Sequence, residues 1–111
     1  EVLASGNFDL LNIAHVRRLE EAARSGDVLV VAVGKGPSRA ADRTAMIAAL
    51  GCVHYVAAFN DPAPLSIVGK LRPDVVVNGC DESPSSVEVD NLVRSYGGQI
   101  RPAPSITRSA A

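Results

Sequence analysis

The residues best suited to chemistry come early in the chain. Gly6, Phe8 and Asp9 are followed by Asn12 and His15 in the stretch "GNFDLLNIAHV", directly after a short apolar run. Residues three apart at the start of a helix project from one side of its first turn. Both Asn12 and His15 can donate hydrogen bonds, and phosphate oxygens accept them. The same turn offers unpaired backbone N–H groups and the positive end of the helix dipole, which suits an anion. Gly6 lets the backbone turn tightly and lets a ligand approach it closely. Asp9 can fix the turn by accepting from backbone N–H groups, or help hold a metal. The plainer alternative makes Asn12 only an N-cap and His15 a surface residue. The spacing is neither the G-x-G-x-x-G of dinucleotide sites nor the G-x-x-x-x-G-K of a P-loop.

Groups at the end of a strand need elements to hold them, and the hydropathy pattern supplies these in alternation. "EVLAS" is a strand, and Ile13, Val16, Leu19 and Ala23 then recur at helical spacing up to Arg24. The charges between them, Arg17, Arg18, Glu20 and Glu21, read as a solvated helix face. Gly26 ends that helix. "DVLVVAV" is apolar throughout, as a strand covered on both faces must be. Asp42 is placed to cap a helix running to Leu50, with Ala45, Met46, Ala49 and Leu50 turned inward. "VHYVAAF" and "DVVVNG" are further strands, separated by a short helix after the prolines of "DPAP". "SSVEVDNLVRSYGG" is a helix with a glycine stop, and "QIRPAP", weakened by prolines, is an edge strand. The order β-α-β-α-β-α-β-α-β predicts an α/β fold with a single doubly wound parallel five-stranded sheet. Ligands of such sheets sit beyond the carboxyl ends of the strands, where strand order reverses.

Composition narrows the function. The 111 residues suffice for one domain, 1–111, with a real core. A net charge of −1 gives no basic face for nucleic acid, and 4% aromatic residues give few platforms for stacking bases. No apolar run reaches spanning length, so no membrane partner is expected. Cys52 and Cys80 make neither a disulfide framework nor a zinc site. A reduced, cytoplasmic setting is the default expectation. The chain opens inside a strand, so its natural start is expected further upstream. Cys80 reads as a buried inert thiol, and His54 as a surface residue at a strand end.

The same residues carry a resemblance. "GNFDLLNIAHVRRLEEAARSGDVLVVAV" resembles the opening of the cytidylyltransferase-like nucleotidyltransferases, whose pattern is G-x-F-D-x-x-H-x-G-H. Within them it is most similar to the adenylyltransferase domains that make ADP-heptose, with glycerol phosphate cytidylyltransferases next. "DRTAMIAALGCVHYVAAF", "LRPDVVVNGCD" and "VRSYGGQI" resemble later segments in the family's order, so the likeness spans nearly the whole chain. It implies a Rossmann-like nucleotidyltransferase fold. It also implies transfer of a nucleoside monophosphate, AMP more than CMP, to a sugar or polyol phosphate with release of pyrophosphate. The implied partners are a nucleoside triphosphate, Mg²⁺ accompanying it, a sugar or polyol phosphate, and a second copy in a homodimer. Carried over by position, His15 is the second histidine of H-x-G-H and Asn12 stands in the place of the first. Arg43 is the phosphate-binding arginine of the second helix, and Lys35 takes the place of a loop lysine near the phosphates. Gly6, Asn7, Phe8 and Asp9 form the nucleotide-binding turn. Gly79 and Asp81 lie near base and ribose, and Ser109 opens the family's last helix.

Several departures fall on these positions. Asn12 cannot carry the charge of a histidine, Ala14 replaces a glycine, and Asn78 and Cys80 replace the lysine and second glycine of a K-G-G-D turn. The S-T-T segment aligns with Ser105–Thr107 or Ser109–Ala111, and loop length and Arg108 favour the second. The loop after Val33 is shorter than the family's, and the chain stops where the last helix should begin, so the domain is expected to lack both parts. A second function therefore stands beside the first: a catalytically impaired nucleotidyltransferase-like module that binds a nucleotide or a protein.

Overall fold

The computed structural model describes residues 1–8, 11–34, 40–60, 62–80 and 86–103. Their elements run β1 (Val2–Gly6), α1 (Ile13–Ala23), β2 (Leu29–Val33), α2 (Ala40–Ala48), β3 (Tyr55–Ala58), α3 (Leu65–Leu71), β4 (Val75–Asn78), α4 (Val87–Ser95) and β5 (Gln99–Pro102). All five strands are parallel, in the order β3-β2-β1-β4-β5. The expected sheet and the edge position of the proline-bearing last strand are therefore present.

Central strands must bury both faces, and their side chains do. Val2 and Ala4 of β1 pack with Leu19 and Ala22 of α1 and Ile47 of α2, while Leu3 points the other way to Val68 of α3 and Val89 and Val93 of α4. The helices thus divide two to a face. The chain winds outward from β1 through β2 to β3, then crosses to β4 on β1's other side. The reversal of direction lies between β1 and β4, and that is where a crevice opens at the carboxyl edge.

The outer elements are tied by specific contacts. Arg72 ends α3 in the left-handed region (φ 48°) and lays its guanidinium over the Tyr96 ring at 5.0 Å. The Tyr96 hydroxyl donates to the Pro73 carbonyl at 2.8 Å, joining the ends of α3 and α4. His54 Nδ1 accepts the Leu29 N–H at 3.0 Å, so this exposed histidine secures the start of β2.

Two of the expected inward helix faces are rotated. In α1 the buried residues are His15, Leu19 and Ala22, and Ile13 is 65% exposed. In α2 Arg43 and Ile47 are buried, while Met46 is 53% exposed and Ala45 and Ala49 also face solvent. Asp42 lies within the first turn of α2 rather than ahead of it. The helices turn their polar His15 and Arg43 inward at the cost of exposing an Ile and a Met.

Candidate active site

β1 ends at Gly6, which pairs with Val33 and accepts from the Gly34 N–H at 2.9 Å. The turn that follows is made by Phe8, at φ 52°. A bulky residue in the left-handed region is costly, on the order of 1–3 kcal/mol, and persists only where its surroundings hold it. Phe8 is almost fully buried, and its ring meets His15 edge-on at a centroid distance of 6.1 Å. The strained residue of the turn is thus Phe8; Gly6 remains in the strand.

Asn12 and His15 form a reciprocal capping box. Asn12 Oδ1 accepts the His15 N–H at 3.1 Å, and His15 Nδ1 accepts the Asn12 N–H at 3.2 Å. Both halves of the plainer alternative can now be judged: Asn12 is indeed the N-cap, but His15 is buried. The cap also fixes chemistry. With Nδ1 accepting, a neutral His15 ring carries its proton on Nε2 and donates from there. Asn12 keeps its amide N–H groups as donors.

Arg43 reaches in from the first turn of α2. It is 4% exposed, and its Nη1 donates to the Asn7 carbonyl at 2.9 Å and to the Gly34 carbonyl. One guanidinium nitrogen therefore joins the carboxyl ends of β1 and β2 and brings a buried positive charge beside the turn. Gly34 is constrained by packing, since a Cβ there would come within 2.7 Å of the Phe59 ring and 2.9 Å of Asn7 Oδ1. Arg43 and His15 are held on consecutive residues of one turn, Asn7 and Phe8, from the α1–α2 face of the sheet.

On the other side of Asn7 a cavity of about 110 Å³ lies between the carboxyl ends of β1 and β4. Gly6 and Gly79 floor it, and Ser5, Asn7, Asn78 and Ser86 supply polar groups. Phe59, Pro64 and Val89 supply apolar wall. Gly79 sits at φ 87°, a conformation that suits glycine alone. The expected residues thus collect at one edge in two groups. Gly6, Asn7 and Gly79 line the cavity, whereas Asn12, His15 and Arg43 stand behind the Asn7–Phe8 turn. Asp9, Lys35, Asp81 and Ser109 lie outside the described residues, as do Ser105–Thr107 and the loop that begins at Lys35. Sequence reasoning missed Ser5, Phe59 and Ser86. Ser86 carries a legible signal, a serine ahead of an apolar-periodic helix, and its Oγ accepts the Val89 N–H at 3.2 Å.

Cys80 is fully buried, as an inert thiol should be. Burial raises the thiol pKa of Cys52. Among the described residues no group of three His, Cys, Asp or Glu side chains could hold a metal ion. No helix among them is long and apolar enough to cross a membrane.

Comparison with known proteins bears on family and fold. Residues 3–104 match the family model described as cytidylyltransferase-like. The chain is 40% identical to the bifunctional protein HldE of Syntrophotalea carbinolica over 89% of its own length and 23% of that relative's. It is 40% identical to a D-beta-D-heptose 1-phosphate adenylyltransferase of Bordetella bronchiseptica, over 88% of this chain and 68% of the relative. Its fold matches the crystal structure of a lipopolysaccharide core biosynthesis protein from Thermoplasma volcanium with a TM-score of 0.81, at 24% identity over 96% of this chain and 97% of that one.

Proposed function

The chain belongs to the cytidylyltransferase-like family, and on that footing we propose that it transfers a nucleoside monophosphate, AMP from ATP, to a sugar phosphate. The observation that carries the choice of ATP and sugar phosphate is the 40% identity to a D-beta-D-heptose 1-phosphate adenylyltransferase, of which this chain spans 68%. Heptose 1-phosphate is accordingly the first acceptor to try.

In this reading an oxygen of the acceptor's phosphate attacks the α-phosphorus of ATP, and pyrophosphate leaves with the electrons of the broken P–O bond. The protein's part is positioning and neutralising charge. His15 Nε2 and the α1 N-terminus donate to the triphosphate, and the Asn12 amide donates beside them. Arg43 holds the turn by its carbonyls and lends its charge to the phosphates, joined by Lys35 from the loop after β2. One such contact contributes about 2.7–4 kcal/mol at the transition state. Mg²⁺ enters as part of the Mg-ATP substrate, bound chiefly by phosphate oxygens.

One observation favours the second reading, in which the module binds but does not transfer. The Asn12 side chain is engaged as the helix cap and cannot supply a histidine's charge. The test is pyrophosphate release with Mg-ATP and Mg-CTP over sugar and polyol phosphates, running Asn12→His beside the parent. Release that needs both ATP and a sugar phosphate supports transfer. A silent parent with an active Asn12→His variant means a site disarmed at one residue, and silence from both favours the binding module.

A further inference from the structure

Gly34 directly follows β2, and both faces of the sheet reach it. From the α1–α2 face, Arg43 Nη1 donates to the Gly34 carbonyl and, at 2.9 Å, to the Asn7 carbonyl. The other face is closed by the neighbouring strand. Val30 and Ala32 of β2 point toward α3 and α4, and by alternation a side chain at position 34 would follow them. The Phe59 ring, beyond the end of β3, stands in that place. It packs against the cluster to which Val30 and Ala32 belong. Its Cζ and Cε2 lie 2.7 and 3.1 Å from where a Cβ on Gly34 would be, and Asn7 Oδ1 lies 2.9 Å from the same point.

Carbon atoms pack best about 3.5–4.0 Å apart. A methyl on Gly34 must therefore displace the ring, the Asn7 amide or the strand end itself. The first removes the packing that seats Gly34. The second shifts the residue that carries the other carbonyl held by Arg43. The third moves the Gly34 carbonyl, together with the N–H that donates to the Gly6 carbonyl at 2.9 Å. Phe59 is anchored to the same strand, because its own N–H donates to the Val33 carbonyl at 2.9 Å. The ring and the strand end are thus one packed unit. Arg43, 4% exposed, is seated against its far side.

We propose that Gly34 is a positioning residue for the transfer. Lacking a Cβ, it lets Phe59 and Asn7 close over the end of β2, and this closure holds the Asn7 and Gly34 carbonyls at the separation that one Arg43 nitrogen spans. The proposal rests on the transfer reading above, in which Gly34 acts through Arg43 by setting where its charge is aimed. Phe59 is the other half of the device. The ring atoms that meet Gly34 are Cε2 and Cζ, and a leucine has neither.

The device predicts a rescue. Gly34→Ala should lower kcat about a hundredfold, as for a displacement of about 1 Å at a charged group of the site. The KM values for ATP and sugar phosphate should stay near the parent's, the mark of a contact made in the transition state. Phe59→Leu leaves Gly34 unseated, and in the double variant the added methyl refills that space, so the double variant should be faster than either single one. A second readout follows Arg43 itself. In ¹⁵N-labelled chains its Nη groups should give separate signals in the parent, as a guanidinium that cannot rotate does. They should average to one signal in Gly34→Ala and separate again in the double variant. Parental kcat or separate Nη signals in Gly34→Ala, or a double variant no faster than Gly34→Ala, would overturn the proposal. Should Gly34→Ala not fold, the double variant should, and a double variant that stays unfolded would overturn the proposal as well. If no chain releases pyrophosphate, the transfer reading fails by itself, and the Nη signals still decide whether Gly34 holds Arg43.

Discussion

Asn12 shows how one side chain can serve structure and chemistry at once. Its Oδ1 caps α1 through the His15 N–H, while the His15 ring returns the bond to its backbone. Asn12→Ala removes the cap, and the expected cost is about 1 kcal/mol of stability, read from urea unfolding. A change under a few tenths would mean that the cap does not matter. Arg43 gives a sharper prediction. Its single Nη1 serves two carbonyls, and a lysine has no rigid fork with which to keep those bonds and also direct charge at the turn. Arg43→Lys should lower kcat about a hundredfold or more while the chain still folds, and retention of parental kcat would remove Arg43 from the mechanism. At this scale the sequence was partly legible. The polar spacing of Asn12 and His15 pointed to the turn that the two residues cap, and the family resemblance added Arg43, which reaches the Asn7 carbonyl before it. The left-handed Phe8 was not legible, because no local rule places a phenylalanine at φ 52°. Only its burial against His15 and the core explains it.

At the scale of elements, strands were easier to read than helix faces. The apolar runs of β1, β2 and β4 have no other use than the middle of a parallel sheet, and there they lie. The short helices α1 and α2 misled because apolar periodicity assumes that only apolar residues turn inward. Here His15 and Arg43 take core-facing positions, and Ile13 and Met46 are displaced to the surface. A paired substitution tests the rotated face. Leu19→Ala should cost about 2–5 kcal/mol, as for a fully buried leucine. Ile13→Ser should stay within about 0.5 kcal/mol. Comparable losses at both positions would contradict the observed face.

Across the whole molecule, strand order puts the reversal between β1 and β4, and the described parts of the site gather on either side of it. The alternation of elements made the sheet legible; the division of the carboxyl edge between the turn that Arg43 braces and the cavity that Asn78 and Ser86 line was not, because it depends on which face each helix covers. The opposite, amino edge of the sheet contributes a pH dependence. Burial raises the Tyr96 phenol above its ordinary value of 10.0, with Arg72 opposing and Asp74 adding to the rise. The folded chain then holds that proton more tightly than the unfolded chain. Its contribution is complete below about pH 10 and is lost as pH climbs through the folded value. Tyr96→Phe should therefore flatten the alkaline fall in stability, and an unchanged fall would assign it to other groups.

The central claim is direct transfer of a nucleoside monophosphate to a sugar phosphate. The most direct measurement supplies ATP labelled at the α-phosphate together with heptose 1-phosphate and follows the label. The account predicts label in a sugar nucleotide, formed one for one with unlabelled pyrophosphate and absent without the acceptor. Label recovered only in ATP, or released as free AMP or ADP whether or not the sugar phosphate is present, would contradict it.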